Sequence, residues 1–164
     1  MRKDFGSKTY LYPMPVLIIG TYNEDGTANA MNAAWGGISD FDKIAIALSN
    51  HKTTDNLKQT KSFTVSVGTA SMVEACDYVG IVSGNKIPDK VSRAGLHAIK
   101  SKYVNAPIFK ELPLALECEV ISFDEKSEIL TGKIINVSAD EEILTDGNID
   151  VKKLRPITYD PVNH

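Results

Sequence analysis

The feature that most constrains this chain is a pair of long β-type runs, Leu114 to Phe123 and Glu128 to Ser138, joined only by the turn sequence "DEKS". Strands so closely joined pair antiparallel, and a lone two-stranded ribbon is barely stable in water, so further strands are needed. "PVLIIGTY", Pro15 to Tyr22, is β-branched and aromatic, and it runs into "NEDGTANAM", where Asp25-Gly26 signals a hairpin turn. "FDKIAIALS" alternates across Lys43 to Leu48 and "KSFTVSVG" across Ser62 to Val67, so each reads as a strand with one buried face.

Helical signals are short by comparison. "TTDNLKQT" has room for two turns, with Thr53 or Thr54 as N-cap. Ser71 with Glu74 three residues on forms a capping box, opening a helix that ends near Gly84. Pro88 forbids its continuation, which leaves "NKIPDKVSRAGL" as loop with a short helix. The tail from Thr145 to His164 reads as a strap with turn chemistry at Asp146-Gly147. Six or more strands, one or two helices and no regular βαβ alternation predict a mainly β (α+β) fold, an antiparallel barrel or sandwich with helices packed outside. A doubly wound nucleotide fold is disfavoured, since no GxGxxG follows the first strand.

At 164 residues the chain has the length of a single domain, read as 1–164, with no linker, repeat or low-complexity tract. Its 43% hydrophobic and 24% charged residues fit a soluble globular protein. A net charge of -3 and the lack of a basic stripe argue against nucleic acid as a partner. The apolar run near the N-terminus covers only Val16 to Ile19, so neither a signal peptide nor a membrane span is expected, and the location is read as cytoplasmic. Cys76 and Cys118 lack CxxC spacing and read as reduced, buried thiols, while His51, His97 and His164 are scattered and predict no metal site.

Three stretches have the residue types of a binding site. "SNHKTTDN", Ser49 to Asn56, gathers hydroxyls, amides, one lysine and one histidine between a strand and a helix. A helix N-terminus favours phosphate, and Lys52, Thr53 and Thr54 could add contacts, so the stretch suits a phosphomonoester. A polar turn in which one threonine caps the helix is the competing reading. "ANAMNAAWGGIS", Ala28 to Ser39, holds two asparagines, small residues and Trp35, which suit a flat ligand. Its alternative is a core tryptophan beside a glycine bulge. "SGNKIPDK", Ser83 to Lys90, ends in a lysine that could approach an anion or sit in a surface ion pair.

Taken in order, "DGTANAMNAAW", "LSNHKTTDNLKQTKSFTVSV", "CDYVGIVSGNKIPDKVSRAGL", "APIFKELPLALECEV" and "LTGKIINV" resemble the flavin reductase-like family, and within it the flavoredoxin branch. The resemblance spans about Tyr12 to Val137. It implies a Greek-key split β-barrel with a few flanking helices, a homodimer, and noncovalently bound FMN near the subunit interface. Carried over by position, it implies that Asn29, Ala30, Met31, Asn32 and Trp35 line the isoalloxazine, largely through backbone groups. Ser49, Asn50, Lys52, Thr53 and Thr54 would hold the phosphate, and Lys90 would reach the flavin from the third loop. Many relatives have a histidine shortly before the "GKI" strand; this chain has Ser127 and Glu128 there.

The activity implied is NAD(P)H-dependent flavin reduction by hydride transfer, with the chemistry carried by the cofactor and a flavin, ferric iron or redox protein as acceptor. A flavoredoxin-type electron carrier with little nicotinamide oxidation of its own is a second reading, and a cofactor-free binding module a third. The choice between NADH and NADPH cannot be read without a Rossmann unit.

Overall fold

The structure, a computed structural model, describes residues 1–163, so His164 lies outside the described residues. The principal strands are β1 (Leu17–Tyr22), β2 (Ala28–Ala33), β3 (Gly36–Asp40), β4 (Lys43–Ala47), β5 (Ser62–Val67), β6 (Leu114–Asp124) and β7 (Ile129–Ala139). The helices that matter here are α1 (Lys52–Thr60), α2 (Val73–Ile81) and α3 (Lys90–Arg93). All seven strands join in one antiparallel sheet of order β2-β1-β5-β6-β7-β4-β3. Its two edge strands, β2 and β3, are neighbours in sequence, separated only by Ala34 and Trp35. So short a link curls the sheet until its edges meet, and the barrel is left with a seam there. The Greek-key split barrel follows from that connectivity.

The alternation read from the sequence sorts side chains into two cores. Leu17 and Ile19 of β1 point into the barrel with Ile44, Ile46, Phe63, Val65 and Leu130, where Leu57 of α1 plugs one end. Ile18, one residue out of phase, faces outward with Val16 and Ala30 into a second core under α2 and α3, with Ala75, Val79 and Val91. This is why β1 reads as a continuous apolar run, since both of its faces are covered. Phe63 needs its space: a Cβ at Gly132 would stand 2.3 Å from the Phe63 ring, so that position of β7 takes only glycine without repacking.

β6 and β7 extend one residue beyond their predicted C-terminal ends, and Asp124 organises the turn between them by accepting from Lys126 N at 2.9 Å and Ser127 Oγ at 2.9 Å. The tail is a strap, as expected. Leu144–Thr145 pairs with Asn148–Ile149 around Asp146-Gly147, and Thr158–Tyr159 pairs with Met14–Pro15. Tyr12 Oη donates to Asp160 Oδ1 at 2.6 Å beside that pairing, a bond that pushes the phenol up to about 12 and holds the carboxyl well below the usual range.

Two helix starts differ from the sequence reading. The N-cap of α1 is His51, not Thr53 or Thr54, and α1 runs nine residues. Thr54 reaches back to accept from His51 N at 3.0 Å, performing from N3 the part usually taken by Glu or Gln. Ser71 does not cap α2: it lies in a 3-10 turn, Ala70–Met72, with its hydroxyl 3.1 Å from Thr69 Oγ1, and Met72 is the N-cap. α2 ends at Ile81, where Val82 turns extended, three residues before Gly84.

Candidate functional site

The seam opens into a cleft of about 360 Å³, lined on the sheet side by Met31, Asn32 and Trp35, on the loop side by Ser49 and His51, and on the helix side by Asp77. Gly80, Ile81 and Tyr159 complete the helix and tail walls. Two of the three stretches singled out in the sequence thus meet in one place. β2 is the last strand of the sheet, so its outer edge presents backbone groups with no strand beside them, and Trp35 stands at the rim with 52% of its surface exposed. Asn32 is anchored to the opposite wall, its amide donating to Cys76 O of α2 at 3.1 Å.

The N-terminus of α1 forms one corner. Ser49 lines the cleft beside this corner and Lys52 is the first residue of α1, whose free N–H groups are ordinary partners for an anion. The two threonines are committed inward. Thr53 is buried and its Oγ1 accepts from Asn29 Nδ2 at 2.9 Å; Thr54 is buried and donates to His51 O at 2.7 Å, with Asn50 Oδ1 3.2 Å from the same hydroxyl. They brace the corner from behind. Asn29 and Ala30 are likewise buried under the cleft floor.

The bracing extends through residues the sequence reading passed over. Thr21 Oγ1 accepts from Asn56 Nδ2 at 3.0 Å and from Asn29 Nδ2 at 3.4 Å, and Asn56 also donates to Asn23 Oδ1 at 2.9 Å. One buried network therefore ties β1 and β2 to α1. The available signal was spacing: Thr53 and Asn56 share a helical face with the core residue Leu57, and polar side chains on a buried face must find partners.

Gly84 brings the third stretch to this network. A Cβ there would lie 2.6 Å from Asn29 Oδ1 and 3.6 Å from both Lys52 Cγ and Lys90 Cε, so the loop seats against β2 only because the side chain is missing. Beyond Lys52 a second cleft of about 450 Å³ is lined by Asn23, Glu24, Asp25, Lys52, Gly84 and Asn85. Lys52 forms a wall of this second cleft, on the side of the corner away from Trp35.

Lys90 is placed otherwise than a flavin contact. Its ammonium is buried and donates to Val79 O at 3.0 Å and Val82 O at 2.9 Å, closing the C-terminal turn of α2 where the helix dipole favours a cation. Burial lowers its pKa from 10.5 to about 8. A neutral amine retains enough hydrogens for both carbonyls, so deprotonation relieves the desolvation cost without breaking the clasp. Between pH 8 and 10.5 the unfolded lysine holds more proton than the folded one, and stability rises with pH over that window by up to about 3 kcal/mol. Denaturation of the native protein and of Lys90→Met across that range checks this. The native protein gains relative to the variant; parallel curves contradict it.

Among the described residues no group of three or more His, Cys, Asp or Glu side chains could hold a metal ion, and no helix is long and apolar enough to cross a membrane. Both thiols are free and buried, and burial raises each, Cys118 to about 12.

A curled antiparallel half-barrel with a ligand-sized cleft at its seam defines the class, and the sequence agrees: residues 9–159 match the flavin reductase like domain, so the chain belongs to the flavin reductase-like family. It is similar to the flavoredoxin of Desulfovibrio vulgaris (Miyazaki F), with 35% identity, a TM-score of 0.93, and 99% of this chain and 90% of that one covered. The flavoredoxin from Methanosarcina acetivorans is 28% identical at a TM-score of 0.82, with 95% and 84% covered. Among curated proteins, the uncharacterized protein YdfE of Bacillus subtilis (strain 168) is 26% identical over 96% of this chain and 85% of its own length.

Proposed function

We propose that the chain binds FMN noncovalently at the seam and acts as an oxidoreductase, an NAD(P)H-dependent flavin reductase. The observation that carries the binding proposal is the meeting, at one cleft, of an unpaired strand edge, an exposed tryptophan and the Ser49 and His51 side of the turn that opens α1, with Lys52 of α1 lining the second cleft. The residues present fit the cofactor. A volume of about 360 Å³ lies within the roughly 300–1,000 Å³ of small-molecule sites, and its lining passes from the apolar Met31, Ala33 and Trp35 to the polar Ser49 and His51.

Bound FMN supplies hydride and single-electron chemistry. The chain's part is to bind and orient. Ser49, Lys52 and the first N–H groups of α1 hold the phosphate; the outer edge of β2 from Met31 to Ala33 reads the ring's polar edge through the backbone; Trp35 covers part of the ring's surface. Asn29, Thr53, Thr54 and Asn56 fix the distance between those two halves, and Lys90 holds α2 and its loop against them. Exposed Trp35, Ile38 and Phe41 along the β3 edge support the homodimer, since an uncovered apolar edge strand invites a partner strand or chain.

The 35% identity to a flavoredoxin over 99% of the chain favours a second reading, an electron carrier that exchanges electrons with other proteins. One anaerobic assay separates the two. With FMN bound, bleaching of the flavin absorbance by NADH or NADPH at catalytic rates supports the reductase; bands that persist with both nicotinamides and bleach with a reducing protein support the carrier.

A further inference from the structure

We infer that the C-terminal strap forms a wall of the binding site and that Tyr12 is the positioning residue that holds it there, setting how long the ligand stays bound. This rests on the flavin reading above and adds to it a contact surface supplied jointly by the two ends of the chain. Tyr159 of the strap lines the seam cleft together with Trp35, Gly80 and Ile81. The α2 side of that wall is seated directly on the sheet. Asn32 donates to Cys76 O at 3.1 Å, and a Cβ at Gly80 would stand 2.9 Å from Asn32 Cβ, so α2 has no room to shift inward. The strap is held differently.

Thr158–Tyr159 pairs with only two residues, Met14–Pro15, and Pro15 brings no N–H to the ladder. So short a ribbon is marginal by itself. Before Tyr159 the strap is fixed where Ile157 N donates to Gly68 O at 3.0 Å; past it, the anchor is Asp160. The Asp160 Oδ1 accepts from Tyr12 Oη at 2.6 Å and from Val162 N at 3.0 Å, and its Oδ2 accepts from Asn163 Nδ2 at 2.8 Å. One carboxylate thus folds the end of the chain into a turn and ties that turn to the segment leading into Met14. Tyr12 is 52% exposed and lies outside the cleft lining, so its hydroxyl acts on a bound ligand only through the neighbour of its partner, Tyr159. Without that bond the two-residue ladder alone holds the strap at this point, and the wall loosens.

The test is a double-mutant cycle in the full chain, with the native protein, Tyr12→Phe, Tyr159→Ala and their combination each titrated with FMN by flavin fluorescence and followed for FMN release after dilution. Urea denaturation of each ligand-free protein runs alongside. Tyr12→Phe keeps the ring and loses one surface hydroxyl, so the fold survives. It is expected to weaken FMN binding by about 5-fold, mostly through faster release, and Tyr159→Ala by about 10-fold. Adding Tyr12→Phe to Tyr159→Ala costs no more than about 1.5-fold further, because the wall it positions is gone. A tyrosine that served only the fold would lower the urea midpoint equally in both backgrounds and leave FMN release unchanged. Native affinity and release rate in Tyr12→Phe, or a loss in the combination equal to the product of the two single losses, overturns the inference. A native protein that binds no FMN overturns the flavin reading itself, an outcome distinct from native binding that neither substitution alters.

Discussion

Ser49→Ala combined with Lys52→Ala weakens FMN binding by about 100-fold and leaves riboflavin binding within about 3-fold of the native protein. Hydrogen bonds to a charged group contribute roughly 1.5–3 kcal/mol each, and the two side chains together supply about 3 kcal/mol, or two decades of affinity. The riboflavin comparison makes the prediction specific. Riboflavin has the ring and ribityl chain without the phosphate, so a contact made only to phosphate disappears from its affinity. Titrations of both ligands against both proteins complete the cycle, and equal losses for FMN and riboflavin would move these residues from the phosphate to the ring.

Gly84→Ala is expected to cost about 1–3 kcal/mol of stability, as overpacking does, and about 10-fold in FMN affinity. The added Cβ falls 2.6 Å from Asn29 Oδ1, and Asn29 cannot yield freely because its amide is bonded to Thr53. Either the loop from Ser83 to Asp89 lifts away or the brace behind α1 loosens, and both disturb the corner that Lys52 occupies. Urea denaturation and FMN titration measure the two effects. Adding Asn29→Ala to Gly84→Ala removes the clash and restores part of the lost stability; if the single variant is already as stable as the native protein, the close packing has no energetic consequence.

Much of the barrel was legible because its strands are long, alternating and joined by short turns. Ser62 to Val67 begins and ends where "SFTVSV" says it should, since β-branched and aromatic residues alternate there with no competing helical pattern. The flavin reductase-like resemblance was also legible, through ordered motifs that no composition argument would give. The seam was not. It depends on β2 and β3 standing at opposite ends of the sheet order, a property of long-range pairing that local sequence does not encode.

The helix starts show the same limit. A threonine in "HKTTDN" can cap from N-cap or reach back from N3, and the two patterns differ by three residues with the same composition. Only the burial of Thr54 beneath His51 decides it. Lys90 was read as a loop lysine that could approach an anion or sit in a surface ion pair, and the family resemblance implied a flavin contact. At 4% exposure it instead closes α2, a placement set by Val79 and Val82 carbonyls that a side-chain pattern cannot reveal. The network of Thr21, Asn29 and Asn56 was missed for a related reason: its members lie on three elements whose register had to be known first.

The central claim is that the seam of this barrel is an FMN site, and quenching of FMN fluorescence on titration with the purified protein tests it most directly. The account predicts saturable quenching with one FMN per chain, accompanied by a change in Trp35 emission. FMN fluorescence that stays unquenched at high protein concentration would contradict it, and would return the Ser49 to Asn56 stretch to a polar turn that caps a helix.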